Sequence, residues 1–290
     1  MKRLEILVLV PLAILVLTGG NCSRERVESM NQMNQGVVFA QQQRFIDATK
    51  SLERATAIDR TNDQAFYNLA LVHIELRHFD RAKEDLNQAI AINGEVAGYQ
   101  EKLGTVLMQL EDWNGAKQAL QKAIELDGSL FKAYYKLAQV DEELDDMQSA
   151  LQHYSDSIEH GPRFLQAYSQ LGRLYAELGY PEQAGQVLES GLEVAMPGTE
   201  EEAHLHHLLG TVYQQQGDNA RAIVQFRAAL EVVPGMPDAL FSLGWTYALE
   251  GNREEGRRFL KKYVDGAGED APAHYLKAAR DKLGELSTGP

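Results

Sequence analysis

Three groups of side chains have types and spacings that could do chemistry. His204, His206 and His207 cluster, and His204 and His207 fall one turn apart on one face of a helix. Two imidazoles begin a metal site but need a third ligand, which the surrounding sequence does not supply, so no metal is expected. The alternative is two polar surface residues and a packed His206. The run Asp141-Glu142-Glu143-Leu144-Asp145-Asp146 gathers oxygen ligands, yet it lacks the glycine and the alternating spacing of a calcium loop. It reads as a solvated helix face. Cys22 is the sole cysteine, so no intramolecular disulfide, cysteine-based zinc site or CxxC redox pair can form. No GxSxG, HExxH, phosphate-binding loop or dinucleotide fingerprint appears. The carboxylates are spread as helix surface, so neither an enzyme nor a cofactor is expected.

The elements that carry these groups must be helical and soluble in character. The chain has 290 residues, 44% hydrophobic and 24% charged, enough apolar content for a packed core. Its formal charge is −14; Lys2, Arg3 and Glu5 leave the first 21 residues at +1, so the remainder carries −15. Such a surface repels phosphate backbones, and no Lys/Arg-rich run is read as offsetting it, which argues against nucleic acid as a partner.

Self-similarity dominates everything else. Gly36, Ala70, Gly104, Ala138, Gly172, Gly210 and Gly244 are separated by steps of 34, 34, 34, 34, 38 and 34 residues. A second series, Ala48, Ala82, Ala116, Ala150, Ala184, Ala222 and Gly256, keeps the same register, and a large apolar residue follows each by four. Apolar residues recur three and four apart in both halves of every unit, predicting paired amphipathic helices. The small residues let the two helices approach closely. Breakers such as Leu178-Gly179-Tyr180-Pro181 and Gln216-Gly217-Asp218-Asn219 separate them. Repeats are read as starting at Ser29, Asp63, Ala97, Phe131, Leu165, Ala203 and Pro237, spanning 29–62, 63–96, 97–130, 131–164, 165–202, 203–236 and 237–270. Four extra residues in the fifth are placed in a loop around Met196–Glu200. A capping helix is expected over 271–286, with Ala273–Leu286 as its body, and a frayed tail over 287–290. Two residues break the pattern: His73 and Asp141 occupy a slot that is usually aromatic or apolar. His73 is expected to be a hydrogen-bonded core histidine; Asp141 implies either loosened packing or a hydrogen bond to a neighbouring repeat.

A 34-residue helix-turn-helix period with these small and large positions resembles the tetratricopeptide-repeat (TPR) family over Ser29–Asp270. The resemblance implies an all-α fold, a right-handed α-α superhelix of about seven repeats with a C-terminal cap. It also implies a concave groove lined by the second, fifth, ninth and twelfth residues of each repeat. Carried onto this sequence, those positions give Tyr67, Leu71 and Ile74; Lys132, Tyr135 and Gln139; Gln166, Ser169 and Arg173; His204, His207 and Thr211; and Phe241 and Trp245. The aromatic members are the expected anchors for an extended peptide or helix of a partner protein. The Lys/Asn pattern of repeats that clamp a C-terminal carboxylate is missing, because the fifth and ninth places hold Tyr67/Leu71, Glu101/Thr105 and Tyr135/Gln139.

The N-terminus reads as an export address. Basic Lys2 and Arg3 precede the apolar run Ile6–Leu17 and the sequence Thr18-Gly19-Gly20-Asn21-Cys22. Residues 1–21 have the layout of a secretory signal. The segment resembles a bacterial lipoprotein signal with Cys22 as the lipidated residue, though Gly19 and Asn21 depart from that pattern. Cleavage after Gly20, or retention as an anchor, are the alternatives. Residues 22–35 are read as a polar tether leading into the first helix. The expected function is a protein-interaction scaffold of the cell envelope, assisting pilus, secretion or outer-membrane assembly or recruiting cell-wall enzymes. The alternative is a periplasmic receptor for a small ligand or peptidoglycan fragment.

Overall fold

A computed structural model describes residues 24–268 and 272–288; the signal segment and Cys22 lie outside them. Fifteen α-helices and no strand occur among the described residues. The first fourteen form seven pairs: α1 (Arg24–Gln41) with α2 (Phe45–Ile58), α3 (Asp63–Glu75) with α4 (Phe79–Ile92), and α5 (Ala97–Gln109) with α6 (Trp113–Leu126). They continue with α7 (Phe131–Glu143) and α8 (Met147–His160), α9 (Leu165–Glu177) and α10 (Pro181–Val194), α11 (Glu200–Gln215) and α12 (Asn219–Val232), and α13 (Pro237–Leu249) and α14 (Arg253–Gly266). The last helix, α15, runs over Ala273–Thr288. The chain divides into two compact units, one ending at His153 and one beginning at Tyr154.

The helices start where the sequence supplies backbone acceptors. Asn62, Asp112, Asp218 and Asn252 each accept a hydrogen bond from the amide three residues on, satisfying a donor that the first turn leaves unpaired. Pro181 and Pro237 open α10 and α13 at the place where proline's missing N–H costs nothing. In each repeat, the fifteenth residue turns the chain between the paired helices with positive φ. Gln43, Arg77, Glu111 and Asp145 take φ of 57–61° in the first four repeats, and Gly179, Gly217 and Gly251 take 76–82° in the last three.

Each pair is held by the predicted close crossing. A methyl carbon on Gly104 would lie 2.6 Å from Leu120 Cγ, and one on Gly172 2.6 Å from Leu188 Cγ. At Gly244 the obstacle is backbone: the Leu260 nitrogen would lie 2.8 Å away and the Gly256 oxygen 3.2 Å. Ala48, Leu52, Ala116, Leu120, Ala184, Leu188, Ala222, Phe226 and Leu260 are fully buried at these crossings. In the N-terminal unit α1 also touches α3 and α5 touches α7; in the C-terminal unit α9 touches α11, α11 touches α13 and α13 touches α15. Within each unit, these first helices adjoin one another.

Three segments differ from the sequence-based expectation. The stretch read as a tether is helical from Arg24, and Ser29 and Met33 are buried on its inner face. Polar composition hid this because only one narrow stripe of α1 carries the packing. The loop placed around Met196–Glu200 ends earlier, since α11 begins at Glu200. Thr199 accepts from the Glu202 amide while Glu202 accepts from the Gly198 amide, and three glutamates occupy the positive end of the helix. The insertion is thus partly an added helical turn. The tail placed at 287–290 is helical as far as Thr288, with Ser287 bonded back to the Leu283 carbonyl.

The crossings yield a direct test. Gly244→Ala should destabilise the protein by about 1–3 kcal/mol, because the contact is backbone and cannot swing aside. Gly284→Ala in exposed α15, with nothing within 4 Å, should stabilise that helix by up to about 1 kcal/mol. Urea unfolding followed by circular dichroism measures both.

Candidate functional site

In the N-terminal unit, Tyr67 on α3 packs its ring 4.8 Å from Tyr99 on α5. The Tyr99 hydroxyl donates to Asp63 at 3.1 Å, and burial with that carboxylate pushes its pKa well above the ordinary 10. Lys136 on α7 reaches back to α5, donating to Glu101 at 2.7 Å and Thr105 at 2.8 Å. Its charge is matched internally by Glu101. Ile74, Tyr135 and Gln139 are half-buried, and Lys132 is exposed. Leu71 is a correction: it is 7% exposed within the core that includes Leu69 and Val72, so it has little surface to offer a partner. A hydrophobic side chain at a groove position of a helix adjoined on both sides is drawn into the core.

In the C-terminal unit, Ser169 is likewise buried and is withdrawn from the groove. Arg173 bonds to Gln170 and Glu177 on its own helix, and Gln166 and His204 are exposed. His207, Thr211 and Phe241 come together on a cleft of about 710 Å3, with Gln214, Asp238, Ser242, Tyr263 and Tyr275 among its walls. Phe241 is the centre of an aromatic group: Trp245 stacks at 5.6 Å, and Tyr263 and Tyr275 meet it edge-on at 5.3 and 5.0 Å. Lys282 of α15 lies 5.2 Å above the Trp245 ring. The terminal helix therefore takes up part of the surface of Phe241 and Trp245, two of the four aromatic residues expected to anchor a partner. His207 Nε2 lies 3.2 Å from Ser242 Oγ. Burial lowers its pKa from 6.5 to about 4, against an opposing pull from Asp238. His206 faces the other way and pairs with Gln225 at 2.8 Å.

Asp238 and Gln214 occupy the second and twelfth places of their repeats, so groove register alone could have found them. Tyr263 and Tyr275 could not be found that way, because they come from α14 and α15. Those helices also revise the picture of charge. Arg253, Arg257, Arg258, Lys261 and Lys262 concentrate on α14, although Arg258 pairs with Glu255 and Arg253 donates to the Glu285 and Leu286 carbonyls.

The two residues that broke the repeat pattern form the same interaction with the roles exchanged. His73 Nδ1 meets Asp85 at 2.7 Å, and His153 Nδ1 meets Asp141 at 2.6 Å. Both pairs join the eleventh and twenty-third places of a repeat; Tyr247 and Phe259 stack at those places in the seventh. Burial raises the Asp85 pKa despite its histidine partner. Asp141 is fully buried and also meets Lys117 of the preceding repeat at 2.7 Å, which realises the expected link to a neighbouring repeat without loosened packing. The Asp141 bond holds the Lys117 ammonium in its charged form and raises its pKa.

Two measurements check this electrostatics. Lys117→Met, which leaves the buried Asp141 carboxylate with His153 as its remaining charged partner, should cost about 1–3 kcal/mol, and Asp141→Leu should cost less because it removes the buried charge itself. His207 binds a proton more weakly folded than unfolded, so its contribution makes stability fall as pH drops from 6.5 towards 4 and level off below. An NMR titration should place the His207 midpoint near 4, and His207→Gln should flatten that part of the stability profile.

Comparison with known proteins agrees with the architecture. Sequence profiles described as tetratricopeptide repeat match residues 63–95 and 165–195, 101–162, and 213–279. No curated protein matches significantly. Among solved structures, the C-terminal part of a TPR repeat-containing protein from Cytophaga hutchinsonii aligns with TM-score 0.70 at 17% identity, over 87% of this chain and 99% of that one. PilF of Pseudomonas aeruginosa aligns with TM-score 0.60 at 16% identity, over 75% and 97%. YrrB, described as a TPR protein with an unusual peptide-binding site, aligns with TM-score 0.54 at 25% identity, over 69% and 99%. The period, the close crossings and these matches lead to one identification: the chain belongs to the tetratricopeptide-repeat family.

Proposed function

We propose that this protein is an interaction scaffold that holds an extended segment of a partner protein against the first helices of its repeats. The observation that carries the reading is the cleft on α11 and α13, where two successive repeats place His207, Thr211 and Phe241 around about 710 Å3 of open space. Rigid rings supply contact area at small entropic cost, and half-buried polar groups beside them supply direction. The peptide-binding description of YrrB supports the same use of the fold. A small-ligand receptor is the second reading, favoured by the size of the cleft, which falls in the range of small-molecule sites.

The setting belongs to the same proposal. The apolar run before Cys22 supports export and lipidation at that cysteine, which would tether the repeats to a membrane of the cell envelope. PilF supports the fold of such a scaffold and nothing narrower.

Photocrosslinking in the native host tests the scaffold. Benzoylphenylalanine at Gln139 or Thr211 should trap a discrete protein adduct, whereas the same group at Val224, 60% exposed on a second helix, should trap none. Equal labelling at Val224 would remove the groove assignment, and adducts absent from every position would favour the small-ligand reading. Radiolabelled palmitate should enter the wild-type chain and not Cys22→Ala.

A further inference from the structure

We propose that the cleft between α11, α13 and α15 receives a basic side chain, arginine or lysine, from an extended partner peptide. The inference rests on the scaffold reading and specifies the chemistry of one subsite within it.

Aromatic rings and a carboxylate converge there. Phe241, Tyr263 and Tyr275 wall the cleft, and the two tyrosines meet Phe241 at 5.3 and 5.0 Å. Aromatic faces carry negative quadrupole density and attract a cation held within about 6 Å. The cluster already shows this preference on its far side, where the Lys282 ammonium lies 5.2 Å above Trp245. On the cleft side no ammonium or guanidinium lies among the lining residues. Asp238 is the charged member of that lining, is exposed, and makes no ion pair among the described residues. Its field reaches His207 and Tyr263, yet His207 stays neutral at physiological pH because burial outweighs the carboxylate. The cleft is thus negative, aromatic and without an internal counter-charge.

Anionic ligands meet the opposite conditions. They would approach Asp238 and the ring faces without a cation to receive them. A purely apolar side chain would leave the Asp238 carboxylate without a counter-charge. A guanidinium or ammonium satisfies both the rings and the carboxylate, while its aliphatic stem covers apolar wall. Ser242 and Gln214 then lie beside the path of the peptide backbone.

The test uses the full chain and three fluorescein-labelled octapeptides of one alternating sequence, with two arginines, two glutamines or two glutamates at the same places. Anisotropy should show the arginine peptide binding at least about tenfold more tightly than the other two. Asp238→Asn and Tyr275→Leu, both at exposed positions, should each weaken the arginine peptide by about threefold to thirtyfold, and by more than they weaken the glutamine peptide. Circular dichroism verifies that each variant keeps its helices. Equal binding of arginine and glutamine peptides, indifference to Asp238→Asn, or no binding of the arginine peptide overturns the inference. So does stronger binding of free arginine amide than of the peptide, which would assign the cleft to a small cation. Crosslinking at Gln139 in the other compact unit reads the scaffold role separately. If that adduct persists while the peptides fail to discriminate, only the cation subsite is lost. Loss of the adducts at both Gln139 and Thr211 removes the scaffold reading itself.

Discussion

Two helices of a repeat can touch only where one side chain is small enough to let the other's enter. Gly104 against Leu120, Gly172 against Leu188 and Gly210 against Phe226 leave no room for even one added carbon without displacement. Every other feature depends on that contact. It sets the angle at which the first helix leaves its partner, and so which residues of that helix reach the next repeat and which remain open. Where the position is alanine, at Ala70 and Ala138, the same crossing is kept with the methyl group fully buried. The repeat is therefore specified by a volume limit more than by any hydrogen bond, which is why it shows so clearly in a single sequence.

That origin explains what could be read from residues alone. The period, the small positions and the helix starts at Asp63, Ala97, Phe131, Leu165 and Pro237 follow from the spacing of small and apolar residues, with a capping Asn62 before the first of these starts and a proline at the last. The start of α1 did not, because nine polar residues within Arg24–Gln35 disguise a stripe whose burial depends on tertiary contact. The groove was legible as register and illegible as exposure. Leu71 and Ser169 sit at groove positions but face into packed surface, whereas Tyr263 and Tyr275 join the cleft from helices that register does not address. Sequence spacing states which way a side chain starts; neighbouring helices decide whether it ends in solvent.

The exchanged pairs His73–Asp85 and Asp141–His153 show the same division. Each residue alone looks like a defect in an aromatic slot, but the complement stands twelve residues later, one helix over. Stacked Tyr247 and Phe259 occupy the corresponding places. Helix pairing at these two places accepts stacked rings in one repeat and a histidine–carboxylate couple in two others. Asp141 goes further by engaging Lys117 from the preceding repeat, so a buried charge ties the same two hairpins that Lys136 joins through Glu101 and Thr105. Buried ion pairs of this kind favour one register over its neighbours at little net gain in stability.

The turn within each repeat leaves the molecule short of its own best stability. Left-handed backbone is natural for glycine and costs an ordinary residue about 1 kcal/mol or more, yet Gln43, Arg77, Glu111 and Asp145 adopt it in four successive hairpins. Glycine already occupies the same place in the other three. The chain thus contains its own consensus, and grafting the later turns onto the earlier ones is a route to a hardier protein that alters neither the core nor any residue of the cleft.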